Sequence, residues 1–246
     1  MKRRAGRSFK KFLDQIRQTH PEASDPESLI QSGQVLVDGR IVTNPASLIR
    51  LGASIVVVPP RVLLGEVKLQ AALDNFQVPV AGRVALDVGA STGGFTRVLL
   101  RAGATRCYAV DAGHGQLLGS LRCDSRVVNL ESTNLGDLNQ RLVPEVIDVI
   151  TMDLSYLSLA SAVPQLDRIA IADDADLIVL VKPMFELGLP ALPAEGVLLK
   201  RAVMQAIQGI ELGRWKVLAQ MESPVRGAGG AIEFFLHARR LSWPNS

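Results

Sequence analysis

Aromatic residues make up only 4% of this 246-residue chain, cysteine occurs twice and histidine three times. Cys107 and Cys123 form no C-x-x-C pair, and His20, His114 and His237 are scattered. Neither a disulfide framework nor zinc-ligand spacing is present, so no metal is expected. No apolar run approaches the roughly 20 residues of a membrane-spanning helix, and the first residues are basic without an apolar stretch, unlike a secretory signal. A reduced, cytoplasmic compartment and no membrane partner are the expectation. What the chain does have is core: 48% hydrophobic residues at this length can bury one sizeable domain plus a small appendage.

The net charge of +3 is unevenly spread. Residues 1–17 hold seven basic side chains (Lys2, Arg3, Arg4, Arg7, Lys10, Lys11, Arg17) against Asp14, leaving 20 basic and 23 acidic residues elsewhere. Basic charge gathered at one end favours a polyanion such as RNA, because each neutralised phosphate releases counterions. A solvated tail is the other reading.

Phe9, Phe12, Leu13 and Ile16 recur at helical spacing, predicting a short amphipathic helix. Ser24-Asp-Pro-Glu27 has the pattern of a capping box and opens a second helix that stops at Gly33. Gln34–Thr43 reads as two strands joined by an Asp38-Gly39 turn, and Ala53–Val58 as another strand ending at Pro59-Pro60. The prolines suggest a boundary, with a small α+β domain over residues 1–60 and a larger one over 61–246. In the latter, Leu69, Ala72, Leu73 and Phe76 form a helical stripe. Strands are predicted near 83–88, 106–111, 126–130, 146–152 and 176–181, then a helix near 200–212 and closing strands at Trp215–Ser223 and Ala231–Arg239. Alternating strands and helices predict an α/β, mostly parallel sheet covered on both faces, with one antiparallel strand near its end.

The most specific stretch is Val84-Ala-Leu-Asp-Val-Gly-Ala-Ser-Thr-Gly-Gly-Phe-Thr96, a strand, a glycine-dense loop and a helix start. Such a loop offers backbone N–H groups to a nucleotide-like ligand at the edge of a parallel sheet. A dinucleotide fingerprint needs G-x-G-x-x-G, whereas here Ser91 stands between Gly89 and Gly94, so a side chain blocks close approach of a pyrophosphate. The loop suits an adenosine ligand without phosphates, which points to S-adenosylmethionine. A nicotinamide site or a structural loop are the competing readings. Candidate cofactor residues are Asp87, Gly89, Ser91, Thr92, Gly93, Gly94 and Phe95, with Asp111 placed to accept from ribose hydroxyls and Asn134 to meet the adenine edge. Either aspartate could instead cap a strand or helix, and Asn134 could be a turn residue.

Further along, Asp153 follows the fourth predicted strand, Lys182 follows the fifth, and Glu233 opens the last. An antiparallel strand starts where its parallel neighbours end, so these three can converge, with Lys68 approaching from the helix before the first strand. Exposed helix-entry residues, and a surface Lys68, are the plain alternative.

With these motifs in view, residues 63–240 resemble the TlyA group of FtsJ-like ribose 2′-O-methyltransferases, which have a Rossmann-like fold. The resemblance rests on Leu86–Thr96, on Tyr108-Ala-Val-Asp-Ala-Gly-His-Gly-Gln-Leu117, on Val181-Lys-Pro-Met-Phe-Glu186 and on the Glu233 strand. Residues 1–58 resemble the RNA-binding domain first described in ribosomal protein S-four, through Phe12-Leu-Asp14, Gly33–Gly39, Asn44-Pro45 and Leu51–Val57. The resemblance implies methyl transfer from S-adenosylmethionine to an rRNA ribose by a Lys-Asp-Lys-Glu set, which falls on Lys68, Asp153, Lys182 and Glu233. The chain departs from the pattern at several charges. Phe12 and Asp25 stand where the RNA-binding domain has arginines. Leu64 and two positions of Glu131–Gly136 replace further arginines, and Leu187–Gly196 is apolar where the family is glycine-rich and basic. A catalytically degenerate RNA-binding or ribosome-assembly protein is therefore the alternative. The haemolysin label attached to the family finds no membrane segment to support it.

Overall fold

The structure is a computed structural model that describes residues 8–59, 62–193 and 195–241. Lys2, Arg3, Arg4, Arg7 and Pro60, used in the reading above, lie outside the described residues. The described chain forms two compact units.

In the first unit, β1 (Phe9–Lys11) runs directly into α1 (Phe12–Thr19). Then come α2 (Pro26–Gln31), the strands β2 (Val35–Val37) and β3 (Arg40–Ile41), β4 (Leu48–Arg50) and β5 (Ile55–Val57). β1 pairs antiparallel with β4, and β2 lies between β3 and β5. Asp38 and Gly39 take positive φ of 48° and 79°, as a two-residue hairpin turn requires. The small core gathers Phe12, Ile16, Ile30, Val35, Val37 and Ile49.

Two local expectations are corrected here. Phe9 is not on the helix: its backbone pairs with Arg50 across the ribbon, and the helix starts only at Phe12. The α2 N-cap is Asp25, whose carboxylate accepts the Ser28 N–H at 3.0 Å, rather than Ser24.

The second unit contains α3 (Leu64–Phe76), β6 (Val84–Val88), α4 (Gly94–Arg101) and β7 (Arg106–Asp111). After α5 (Gly119–Arg122) come β8 (Val127–Glu131), β9 (Ile147–Met152), α6 (Leu159–Ala162) and β10 (Ile171–Val181). α7 (Pro183–Glu186), α8 (Gly196–Leu212), β11 (Trp215–Glu222) and β12 (Phe234–Arg240) complete it. α5 is the exception to this division: Leu118–Asp124 groups with the first unit, where α5 packs on α2. A single cut at residue 60 does not anticipate that segment, because its partners are remote in sequence.

Seven strands form one sheet in the order β11-β12-β10-β9-β6-β7-β8, with β12 antiparallel to both neighbours. The expected mostly parallel architecture is thus present. β10 is longer than predicted, with a register shift between Ile171 and Asp176. β12 starts at Phe234, one residue after Glu233.

Alternation along the strands sends successive side chains to opposite faces. Leu86, Val88, Ile150, Met152, Leu177, Val179 and Leu236 pack with Leu159, Ala162, Ala206 and Ile210 of α6 and α8. The other face meets α3 and α4, where Phe76 stacks on His237 (5.5 Å) and Phe95 leans on Phe235 (6.1 Å). Burying each such side chain stabilises the fold by roughly 1.5–3 kcal/mol. Because β6 lies between β7 and β9, crossovers leave it in opposite directions, opening a crevice at its carboxyl end.

Candidate active site

The β6–α4 loop is built around buried acid and glycine. Asp87 is fully buried, accepting the Thr96 hydroxyl at 2.6 Å and the Thr151 hydroxyl at 2.9 Å. Burial pushes its carboxyl up to about 6, against the pull of those two hydroxyls. Both carboxylate oxygens accept from α4 and β9, so Asp87 braces the loop from below. Gly89 then turns the chain with φ +83°. A side chain on Gly94 would come within 3.0 Å of Gly65 Cα, so glycine here lets the first turns of α3 and α4 touch. That approach brings Lys68, one turn into α3, to the crevice. Glu66 ties the same turn down, accepting from Arg97 at 2.7 Å, Arg101 at 2.9 Å and its own Leu63 N–H at 3.2 Å.

The loop's backbone donors are largely consumed inside the protein. Gly89 and Ala90 donate to Val110 O, Gly93 donates to Ala90 O, and Ser91 N–H donates to Asp111 Oδ2 at 2.8 Å. A pyrophosphate would find these donors taken and the Asp111 carboxylate beside it. The arrangement suits a ligand with hydroxyls and no phosphate. Asp111 also accepts Gly113 N–H at 2.7 Å, and Ser91 Oγ donates to Gln116 Oε1 at 3.1 Å. Thr92, Gly94, Phe95 and Gly65 line a cavity of about 280 Å³ that ends at Lys68 and Asp153.

A second cavity of about 350 Å³ adjoins it through Lys68, which lines both. Its polar side carries Lys68, Lys182, Glu233 and Ser155, and its walls are apolar, including Phe185, Leu192 and Ile232. Lys68 Nζ lies 2.6 Å from Glu233 Oε2, an ion pair whose side chains are only 8% and 4% exposed. Lys182 Nζ lies 2.6 Å from Asp153 Oδ1 and donates to Ser155 Oγ at 2.7 Å. The contact with Asp153 is an ion pair without hydrogen-bond alignment, leaving that oxygen unsaturated. All four expected side chains therefore meet at one sheet edge.

Asn134 does not join them. It is exposed and caps the 3-10 turn Leu135–Asp137, donating to Asp137 Oδ2 at 3.1 Å. Sequence reasoning missed Ser155, Glu66 and Gln116. Only Ser155 had a signal, two residues beyond Asp153. Among the described residues, no group of three or more His, Cys, Asp or Glu is placed to hold a metal ion.

A doubly wound sheet whose crevice has its loop N–H donors bonded within the protein, beside paired lysines and acids, is the arrangement of a Rossmann-like methyltransferase domain. Comparison with known proteins agrees. Residues 65–240 match the family model for FtsJ-like methyltransferases. The chain is 42% identical over 221 residues to the 16S/23S rRNA (cytidine-2′-O)-methyltransferase TlyA of Mycobacterium tuberculosis, covering 86% of this chain and 82% of that one. A solved structure from Streptococcus thermophilus, provisionally named a hemolysin, superposes with a TM-score of 0.70 at 27% identity, covering 96% of this chain and 90% of that one. The S-adenosylmethionine dependent methyltransferase of Mesorhizobium loti shares the fold, with a TM-score of 0.51 at 15% identity over 69% of this chain and 96% of that one. The chain belongs to the TlyA/FtsJ-like methyltransferase family. The cofactor that goes with this family and fold is S-adenosylmethionine, and the residues lining the first cavity fit it. No helix among the described residues is long and apolar enough to cross a membrane.

Proposed function

We propose that this chain methylates a ribose 2′-hydroxyl of ribosomal RNA, with the cofactor along the β6–α4 loop and the ribose in the second cavity. The observation that carries this reading is Lys68, which lines both cavities while paired to Glu233, opposite the Lys182–Asp153 pair. Loop residues Gly89, Ser91, Thr92, Gly93, Gly94 and Phe95, with Asp111, hold the cofactor, which supplies an electrophilic sulfonium methyl when bound. The remaining work is alignment and removal of the hydroxyl proton. Lys182 is the side chain we assign to receive that proton. Asp153 and Ser155 fix its Nζ, and Lys68 and Glu233 position the ribose. The apolar walls exclude water from the acceptor oxygen. The first unit, read as the S-four type of RNA-binding domain, supplies further RNA contacts. The protein acts in the cytoplasm, where its substrate is.

The test is Lys182→Ala. Calorimetry should show S-adenosylmethionine binding unchanged, while ribose methylation of bacterial rRNA falls roughly 10²–10⁴-fold. Wild-type methylation by this variant would refute the assignment.

A further inference from the structure

Two exposed surfaces of the first unit differ in chemistry. The turn between α1 and α2 and the start of α2 expose Glu22, Asp25 and Glu27. The ribbon formed by β1 and β4 is the opposite case. Phe9 pairs with Arg50, Lys10 with Ile49 and Lys11 with Leu48. Ile49 is 8% exposed and points into the core. Alternation therefore sends Phe9, Lys11, Leu48 and Arg50 together to the outer face. All four are exposed, Phe9 by 54% and Leu48 by 67%. An aromatic ring left this far in water beside a guanidinium and an ammonium group has nothing to gain from folding alone. Arg50's own partner, Asp38, is 3.7 Å away with both side chains half exposed, a contact too weak to hold the guanidinium back. The sequence just before β1 adds Arg7, Arg4, Arg3 and Lys2.

We propose that the outer face of the β1–β4 ribbon is an RNA-binding surface, taking an unpaired RNA segment with a base on Phe9 and phosphates on Lys11 and Arg50. The inference rests on RNA being the substrate, as argued above, and assigns its contact on the first unit to the ribbon rather than to the helices. Base–aromatic stacking tolerates any sequence, and flanking cations track the backbone. The exposed acids around the start of α2 repel the same phosphates. Charge thus favours RNA over a second copy of the chain, which would bring two like-charged ribbons together.

The experiment measures binding of purified bacterial rRNA to the full chain across a range of salt, alongside ribose methylation. Phe9→Ala should weaken binding roughly 5- to 100-fold. Lys11→Gln with Arg50→Gln should flatten the slope of log affinity against log salt by about 1.4–1.8. Glu22→Gln with Glu27→Gln should keep or raise the affinity. Circular dichroism checks that each variant folds, which their exposure favours. Ribbon variants that bind with unchanged affinity and slope overturn the inference, as does a helix-face variant that loses as much affinity as they do. Self-association that disappears on Phe9→Ala, with RNA affinity intact, overturns it in favour of a second copy. A wild-type chain that binds no rRNA defeats the functional reading itself, a result distinct from all of these.

Discussion

Gly89 and Asp153 are pressed together at the switch point of the sheet: a Cβ on Gly89 would collide with the carbonyl oxygen of Asp153. Gly89 also holds φ +83°, which costs a side-chain-bearing residue roughly 1–2 kcal/mol. The glycine that bends the cofactor loop thus also fixes the backbone of the residue paired to Lys182. Gly89→Ala should lower stability by roughly 2 kcal/mol or more and displace Asp153. Cofactor affinity and methylation should fall together, by at least about tenfold each. Calorimetry and a single-turnover assay measure both. A variant with weakened cofactor binding but an untouched methylation rate at saturation would show that the two residues are not coupled.

The Lys68–Glu233 and Lys182–Asp153 pairs sit in different surroundings and should respond differently to removal. Lys68 and Glu233 are almost wholly withdrawn from water, whereas Lys182 and Asp153 are 16% and 24% exposed. Glu233→Ala leaves a buried ammonium group unpaired and should cost about 3–5 kcal/mol in urea unfolding. Asp153→Ala should cost less, since water can reach Lys182. Replacing both members of the buried pair, Lys68→Met with Glu233→Leu, should restore most of the stability and none of the methylation. Equal losses for Glu233→Ala and Asp153→Ala would contradict the burial argument.

Much of this site was legible in the sequence because its parts are local. Each parallel strand is a short apolar run ending in a residue that must emerge at the carboxyl edge, so Asp111, Asp153 and Lys182 could be placed without coordinates. The substitution of Ser91 for a glycine was enough to disfavour a pyrophosphate. The failures share a physical cause, which is that the deciding partner is remote in sequence. Phe9 fits the α1 stripe by spacing, but β4, some forty residues later, takes its backbone into a ribbon. Asp87 was a candidate for cofactor binding or for capping, and spacing did not announce its bond to Thr151 from a strand 64 positions away. At Asn134 the sequence offered an adenine contact or a turn residue, and the structure shows the amide capping its own 3-10 helix. Nothing in the spacing announced that Glu66 would gather two arginines of α4.

Glu186 makes stability depend on pH between about 4.5 and 7. Its carboxyl is 4% exposed; Oε1 accepts the Leu159 N–H at 2.9 Å, while Oε2 has no hydrogen-bond partner among the described residues. Burial pushes the group from 4.5 up to about 7, the Leu159 hydrogen bond opposing it. The folded state therefore holds a proton more tightly than the unfolded state. The resulting stabilisation is complete below about pH 4.5 and is lost as pH rises through about 7, amounting to at most ~3 kcal/mol. Glu186→Gln keeps the oxygen that accepts from Leu159 and removes the ionisation. Urea unfolding should find the variant no more stable than wild type at pH 5, yet more stable at pH 8. Identical pH profiles would rule the mechanism out. The consequence reaches the active site, because Glu186 closes the short helix that Lys182 opens and binds the first residue of α6, just beyond the Asp153–Ser155 segment. Ionising it loosens the link between the two loops that hold Lys182 and Asp153 together, so the methylation rate of Glu186→Gln relative to wild type should rise as pH passes from 5 to 8.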